Sequence, residues 1–164
     1  VTGRLLAVDP GNVESGFVVL EPSNWIADKG IVENAVMLAI ISDWRGELAI
    51  ERITSYGMVV GQSIFETCVW HGRFIQAYAE PDRVVRVPRQ DVKRHLCHST
   101  QAKDKNVNSR LLDLWGPKGR KADPGPTFGM AGDMWAALGV AATVRGIEDP
   151  LEWDTLLTQP GILA

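Results

Sequence analysis

LLAVDPGNVESGFVVL, Leu5 to Leu20, decides how the rest of the chain is read. Leu5-Leu6-Ala7-Val8 is a short unbroken apolar run, as in a strand covered on both faces. Asp9 ends it and Pro10-Gly11 turn the chain. A second apolar run, Gly16-Phe17-Val18-Val19-Leu20, is then expected to return beside the first as a hairpin. A core strand that finishes in a carboxylate is costly unless the acid is paired or binds a cation.

Glu51 repeats the arrangement directly after Leu48-Ala49-Ile50. If those two strands lie parallel and side by side, Asp9 and Glu51 meet at the sheet edge where α/β proteins place their sites. Asp133, after Gly132, opens the last apolar helix and is the third acid. An oxygen-only set with no His or Cys group beside it suits Mg²⁺ or Mn²⁺ rather than zinc. Each acid also has a plainer role. Asp9 can begin an Asp-Pro-Gly turn, Glu51 can pair with Arg52 or a later base, and Asp133 can cap a helix. Asp123-Pro124-Gly125 repeats the tripeptide with no apolar strand before it, and there a turn is the better reading.

The remaining elements alternate. Residues 25–33 read as a third strand, interrupted by Asp28-Lys29-Gly30, and residues 34–44 as a helix that Gly46 stops. Residues 59–79 predict a long helix with Val60, Ile64, Cys68, Ile75 and Tyr78 on one stripe. Residues 83–87 form a strand ended by Pro88, and a short helix starts near Asp91. A helix over 104–115 carries Val107, Leu111 and Trp115 on one face. A loop rich in proline and glycine over 116–129 leads to a last core helix over 133–145. The expected architecture is a single α/β domain over 1–164, with a mixed sheet of five strands, a short terminal helix and a loose tail after about 148.

Composition narrows the partners. The 164 residues carry a net charge of −3, yet Arg83 to Lys121 holds eleven lysines and arginines against three acids. A local basic stripe on an acidic chain suggests a phosphate-bearing partner, and a solvated charged surface is the alternative. No apolar run reaches the ~20 residues a membrane span needs. Residues 1–15 lack the pattern of a secretory signal. Cys68 and Cys97 are too few and too far apart for a disulfide framework. A cytoplasmic protein with reduced thiols is expected.

The motifs together resemble RuvC-type Holliday junction resolvases. LLAVDPGNVESGFVVL is similar to the family's opening strand and turn, and LAIERI to its second acidic motif. VPRQDVKRHL resembles the Arg-Gln-x-x-Lys region, KDKNVNSRLLDLWG the helix that follows it, and DMWAALGVAAT the last motif. The resemblance runs in order over most of residues 4–145, and a phage version would fit the chain's brevity and divergence. It implies a ribonuclease H-like fold, a homodimer, and cleavage of four-way DNA junctions that depends on Mg²⁺, with Mn²⁺ as a substitute and two ions per site. Asp9, Glu51 and Asp133 then hold the metal and carry catalysis. Arg89, Lys93, Lys103 and Lys105 contact DNA. Tyr56 takes the place of an aromatic wedge, and Trp70, Gly72 and Phe74 stand at the dimer contact. His95 and His98 fall in the basic segment and are expected to meet phosphate or solvent.

Two departures matter. Near the place after Glu51 where the family has its aromatic wedge, this chain has Thr54 and Ser55 before Tyr56. The family's last helix carries two acids, or a His and an Asp, three residues apart. Aligned on Ala-Leu-x-x-Ala, Asp133 takes the first place and Ala136 the second; shifted, Asp133 is the second and Met130 replaces the first. Asp123 and Glu14 are candidates for the missing group. Other readings remain at this stage: a more general ribonuclease H-like nuclease on branched DNA or RNA, and a junction-binding protein of weak or no activity. Asp9-x-Gly11-x-x-x-x-Gly16 also fits the phosphate loop of sugar-kinase and actin-type ATPases, whose duplicated domain needs a far longer chain than this one.

Overall fold

A computed structural model describes residues 3–152. Five strands form one mixed sheet: β1 (Leu5–Asp9), β2 (Glu14–Leu20), β3 (Ile26–Glu33), β4 (Glu47–Arg52) and β5 (Val85–Pro88), in the order β3-β2-β1-β4-β5. The pairs β1/β2 and β2/β3 are antiparallel, whereas β1/β4 and β4/β5 are parallel. The Asp28-Lys29-Gly30 stretch does not break β3, because an edge strand can expose these residues while its backbone pairs with Phe17 to Val19.

β1 lies at the centre of the sheet, and Leu5 to Val8 are fully buried. Side chains alternate between the two faces. Leu6, Val8, Phe17, Val19, Leu48 and Ile50 pack under α1 (Asn34–Asp43) and α2 (Gln62–Ala77). Leu5, Ala7, Val18, Leu20, Ala49 and Val87 pack under α3 (Arg89–Cys97), α4 (Asp104–Trp115) and α5 (Asp133–Arg145). Asp9 and Glu51 share the parity of Ala7 and Ala49. Both carboxylates therefore belong to the face that α5 covers.

On α4, the expected face of Val107, Leu111 and Trp115 is buried, and the Trp115 indole N–H donates to the Asn24 carbonyl at 3.0 Å. The stripe expected on α2 is not the buried one. Val60 precedes the helix, and Ile64 and Cys68 face solvent, while Thr67 and Phe74 face the core. Tyr78, just past the helix end, is buried and donates its hydroxyl to the Gly46 carbonyl at 2.7 Å. Phe74 stands two helical turns from Thr67, on the face that meets the sheet, so it is a core residue rather than a subunit contact. Trp70 leans on it with ring centroids 5.8 Å apart and holds the Arg73 guanidinium 4.0 Å above its own ring. Of the three residues expected at the contact, Gly72 alone is exposed.

The proline- and glycine-rich stretch contains a small hairpin, β6 (Gly119–Arg120) and β7 (Asp123–Pro124), antiparallel to each other and separate from the main sheet. His95 does not point to solvent or phosphate: its Nε2 meets the Ile147 carbonyl at 2.9 Å, tying α3 to the segment after α5. His98 ends α3 in a left-handed conformation, φ 55°. The tail expected after residue 148 lies, from residue 153 onward, outside the described residues.

Candidate active site

The parallel pairing of β1 and β4 aligns Val8 with Ile50, which puts Asp9 and Glu51 one step further along neighbouring strands. Asp9 faces Gly16 across the hairpin, and Gly16 is where α5 arrives. A Cβ at Gly16 would lie 2.5 Å from the Asp133 carbonyl carbon and 2.7 Å from its Cβ. Only hydrogen fits there, so this glycine lets the first turn of α5 settle against β2 and bring Asp133 to the other two acids.

The loop that leaves Asp9 is pinned from beneath. Asn34, the first residue of α1, is buried with Ser15. The Ser15 hydroxyl donates to Asn34 Oδ1 at 2.6 Å, Asn34 Nδ2 donates to the Gly11 carbonyl at 2.9 Å, and the Asn34 N–H donates to the Val13 carbonyl at 3.0 Å. These bonds satisfy polar groups that would otherwise cost about 1–3 kcal/mol each when buried. They turn a flexible Pro-Gly segment into a fixed mount for Asp9.

An open cleft of about 560 Å³ runs over these elements. Asp9, Glu51 and Asp133 line it together with Arg89, Lys93, Asp104, Asn108, Trp135 and Ala136. Burial, reinforced by the charges of Glu51 and Asp133, pushes the Asp9 carboxyl up to about 8. Burial also raises Glu51, to about 7, with Arg89 pulling the other way and Asp104 and Asp133 adding to the rise. Two carboxyls held this high sit in a pocket short of positive charge.

Arg89, at the start of α3, is the nearest cation. Its Nη2 donates to Asp104 Oδ1 at 2.7 Å, and its Nη1 stands 3.9 Å from Glu51 Oε2. Arg89 Nη1 and Glu51 Oε2 are both buried and neither has a hydrogen-bond partner. The bond from Arg89 holds the Asp104 carboxyl below the usual range. Among the described residues, no three His, Cys, Asp or Glu side chains are gathered into a finished metal cage. The donor set nevertheless fits a hard divalent cation. It is all oxygen, two of its carboxyls are burdened by burial and mutual repulsion, and one buried oxygen, Glu51 Oε2, accepts no hydrogen bond.

The structure places the sequence-derived residues unevenly. Asp9, Glu51 and Asp133 line one cleft, and Arg89 and Lys93 line it with them. Lys103 and Lys105 sit at the exposed start of α4, where the Lys103 N–H is capped by Asn106 Oδ1 at 3.0 Å. Tyr56 belongs to a separate apolar groove with Met58, Val59, Ile64 and Phe65. Glu14 and Asp123 do not line the cleft. Ala136 does, one turn past Asp133, whereas Met130 is buried in the core. Asp104, Asn108 and Trp135 were not singled out from the sequence. Asp104 reads there as one acid inside a basic stretch, and only the approach of α3 to α4 sets it opposite Arg89.

The order and directions of the five strands, with helices on both faces, are those of a ribonuclease H-like α/β fold, the fold of RuvC. Among solved structures, the chain is similar to RuvC of Thermus thermophilus, with a TM-score of 0.64, 18% identity, and coverage of 90% of this chain and 99% of that one. T. thermophilus RuvC in complex with a Holliday junction substrate matches with a TM-score of 0.63 at 16% identity, covering 86% and 92% of the two chains. No protein-family model matches the chain, and no curated protein matches it by sequence. No helix among the described residues is long and apolar enough to cross a membrane.

Proposed function

We propose that this chain is a divalent-metal-dependent endonuclease that resolves four-way DNA junctions by paired, symmetric cuts. One observation carries the reading: Asp9 and Glu51 end adjacent parallel strands at the centre of the sheet, and a glycine-permitted contact brings Asp133 into the same cleft. The shared fold with a RuvC captured on a Holliday junction substrate supports branched DNA as the partner.

Asp9, Glu51 and Asp133 would hold Mg²⁺, with Mn²⁺ able to substitute and two ions per site. Bound there, the metal supplies an activated water and stabilises charge on the leaving oxygen. The chain's own cations orient the DNA. Lys93, one helical turn beyond Arg89, presents an ammonium to the cleft, and no acid pairs with it among the described residues. Arg89 is turned inward, bonded to Asp104 and facing Glu51, and so steadies these acids. Lys93, with Lys103 and Lys105 at the start of α4, meets phosphates and gives affinity without reading sequence.

Two symmetric cuts call for a two-fold assembly. The first half of α2 and the segment before it offer a surface for that assembly, since Met58, Val59, Ile64, Phe65 and Val69 are all exposed apolar side chains. Ala136 favours a second reading, a junction-binding protein of weak activity, because it removes one oxygen donor from the cleft.

A labelled four-way junction incubated with the protein and Mg²⁺, beside a linear duplex, a fork and an RNA–DNA hybrid, separates the readings. Paired nicks in the junction alone support the proposal. Equal cutting of forks or hybrid points to a general ribonuclease H-like nuclease. Tight junction binding without cuts gives the second reading.

The raised carboxyls set a pH dependence that can be measured without DNA. Asp9 and Glu51 titrate near 8 and 7 in the folded protein, against ordinary values of 3.8 and 4.5. From pH 4 upward the unfolded chain releases these protons first, so the folded state binds more protons and stability falls until about pH 8. In EDTA the melting temperature should drop by on the order of 10–20 °C between pH 5 and 8. Millimolar Mg²⁺ should recover most of that loss at pH 8 and little at pH 5. A melting temperature in EDTA that is flat or rising over this interval contradicts the assignment.

A further inference from the structure

We infer that the β6–β7 hairpin is a rigid basic finger that grips the backbone of a DNA arm beside the cleft; this rests on the branched-DNA reading above. The finger carries Lys118, Arg120 and Lys121 against one acid, Asp123, and residues 117–124 are exposed throughout. Among the described residues, none of the three cations forms an ion pair with an acid. Elsewhere in the basic stretch several cations are internally committed: Arg83 pairs with Glu80, Arg94 with Asp91, and Arg110 bonds the Glu148 carbonyl. Arg86, Lys103 and Lys105 are also exposed without an acid partner among the described residues, but the finger gathers three such cations within residues 118–121.

The base of the finger is built to hold position. The Gly125 N–H donates to the Lys118 carbonyl at 2.8 Å, and a Cβ on Gly125 would fall 1.9 Å from the Pro117 carbonyl oxygen, so the two stems touch backbone to backbone. Thr127, fully buried, donates its hydroxyl to the Gly116 carbonyl at 2.9 Å, and Met130 roots the far end in the core. Thus the hairpin does not swing as a free loop. Its placement is equally specific, because Lys118 Nζ lies 5.3 Å from the centre of the Trp135 ring, and Trp135 lines the cleft. Rigid, unpaired cations at the rim of a cleft proposed to cut a polyanion fit a row of phosphates.

Anisotropy on a labelled four-way junction in EDTA, across a potassium chloride series, tests the finger. Each lost phosphate contact lowers the slope of log K against log salt by about 0.9. The variant Lys118→Ala/Arg120→Ala/Lys121→Ala should lower it by about 2–3 and weaken binding ~10-fold or more. The charge-conserving variant Arg120→Lys/Lys121→Arg should keep the wild-type slope. Thermal melting of both variants verifies the fold, which exposed side chains leave intact. If the triple variant binds with wild-type affinity and slope, the finger inference is wrong and the branched-DNA reading stands. If the wild type itself binds no junction, the branched-DNA reading fails, and the finger with it.

Discussion

Asp9→Asn should lower junction cleavage by about 10³-fold or more, equivalent to roughly 4 kcal/mol of transition-state stabilisation, while leaving junction binding within about twofold. Asn keeps the shape of the side chain, so the hairpin and its Ser15–Asn34–Gly11 support remain. What it removes is a buried negative charge between Glu51 and Asp133. The same change should act oppositely on stability. Without the Asp9 charge, the mutual repulsion that burdens the folded state near neutral pH is relieved. The variant in EDTA at pH 8 should therefore melt higher than the wild type, and its gain from Mg²⁺ should shrink. Single-turnover nicking, anisotropy and melting together distinguish this from simple damage. Wild-type cleavage by Asp9→Asn would sink the site assignment.

Gly16→Ala should damage the candidate site through a single added methyl group. The new Cβ would stand 2.5 Å from the Asp133 carbonyl carbon and 2.6 Å from its oxygen, far inside contact distance. These are backbone atoms in the first turn of α5, so no side-chain rotation can make room. Either β2 or the start of the helix must move, at a cost of about 1–3 kcal/mol by comparison with overpacked cores. A displacement near 1 Å in a positioned group can cost ~10²-fold in rate. We expect a folded but destabilised protein whose cleavage falls by about that factor, and whose Mg²⁺-dependent melting shift falls with it. The last measurement reports the carboxylate cluster directly, independent of turnover. An alanine variant with wild-type melting and wild-type nicking would mean that α5 is not seated by this contact.

Much of this arrangement is legible in the sequence because it is local. An apolar run that ends in an acid needs no partner to be noticed, and it occurs at Asp9 and again at Glu51. Asp133 is visible as the opening of a helix whose other residues are nearly all apolar. The rest depends on which surfaces meet. Periodicity shows that α2 is amphipathic, but its N-terminal half carries exposed apolar residues, and so the stripe through Ile64 and Cys68 looks like core. Phe74 looks equally available for a subunit contact until the sheet is laid beneath it. The pairing of Arg89 with Asp104 spans fifteen residues and two helices, beyond any spacing rule. The β6–β7 hairpin escapes because two-residue strands have no alternation to detect. Its glycines and prolines predict a turn, and only the tertiary bonds at its base show that the turn is fixed.

The alternation of β1 and β4 has a further consequence, for how such a chain can change over generations. Asp9 and Glu51 reach the cleft only because each sits an even number of residues from a neighbour packed beneath α5, namely Ala7 and Ala49. A one-residue insertion or deletion between either pair would send the acid to the side covered by α1 and α2, and shift its strand's apolar set to the wrong face. Substitutions can accumulate around these strands, but length variation cannot enter them. The tolerant places are those that change no parity, such as the stretch from α4 to α5, where added chain lies outside the main sheet and shifts no strand that carries a carboxylate.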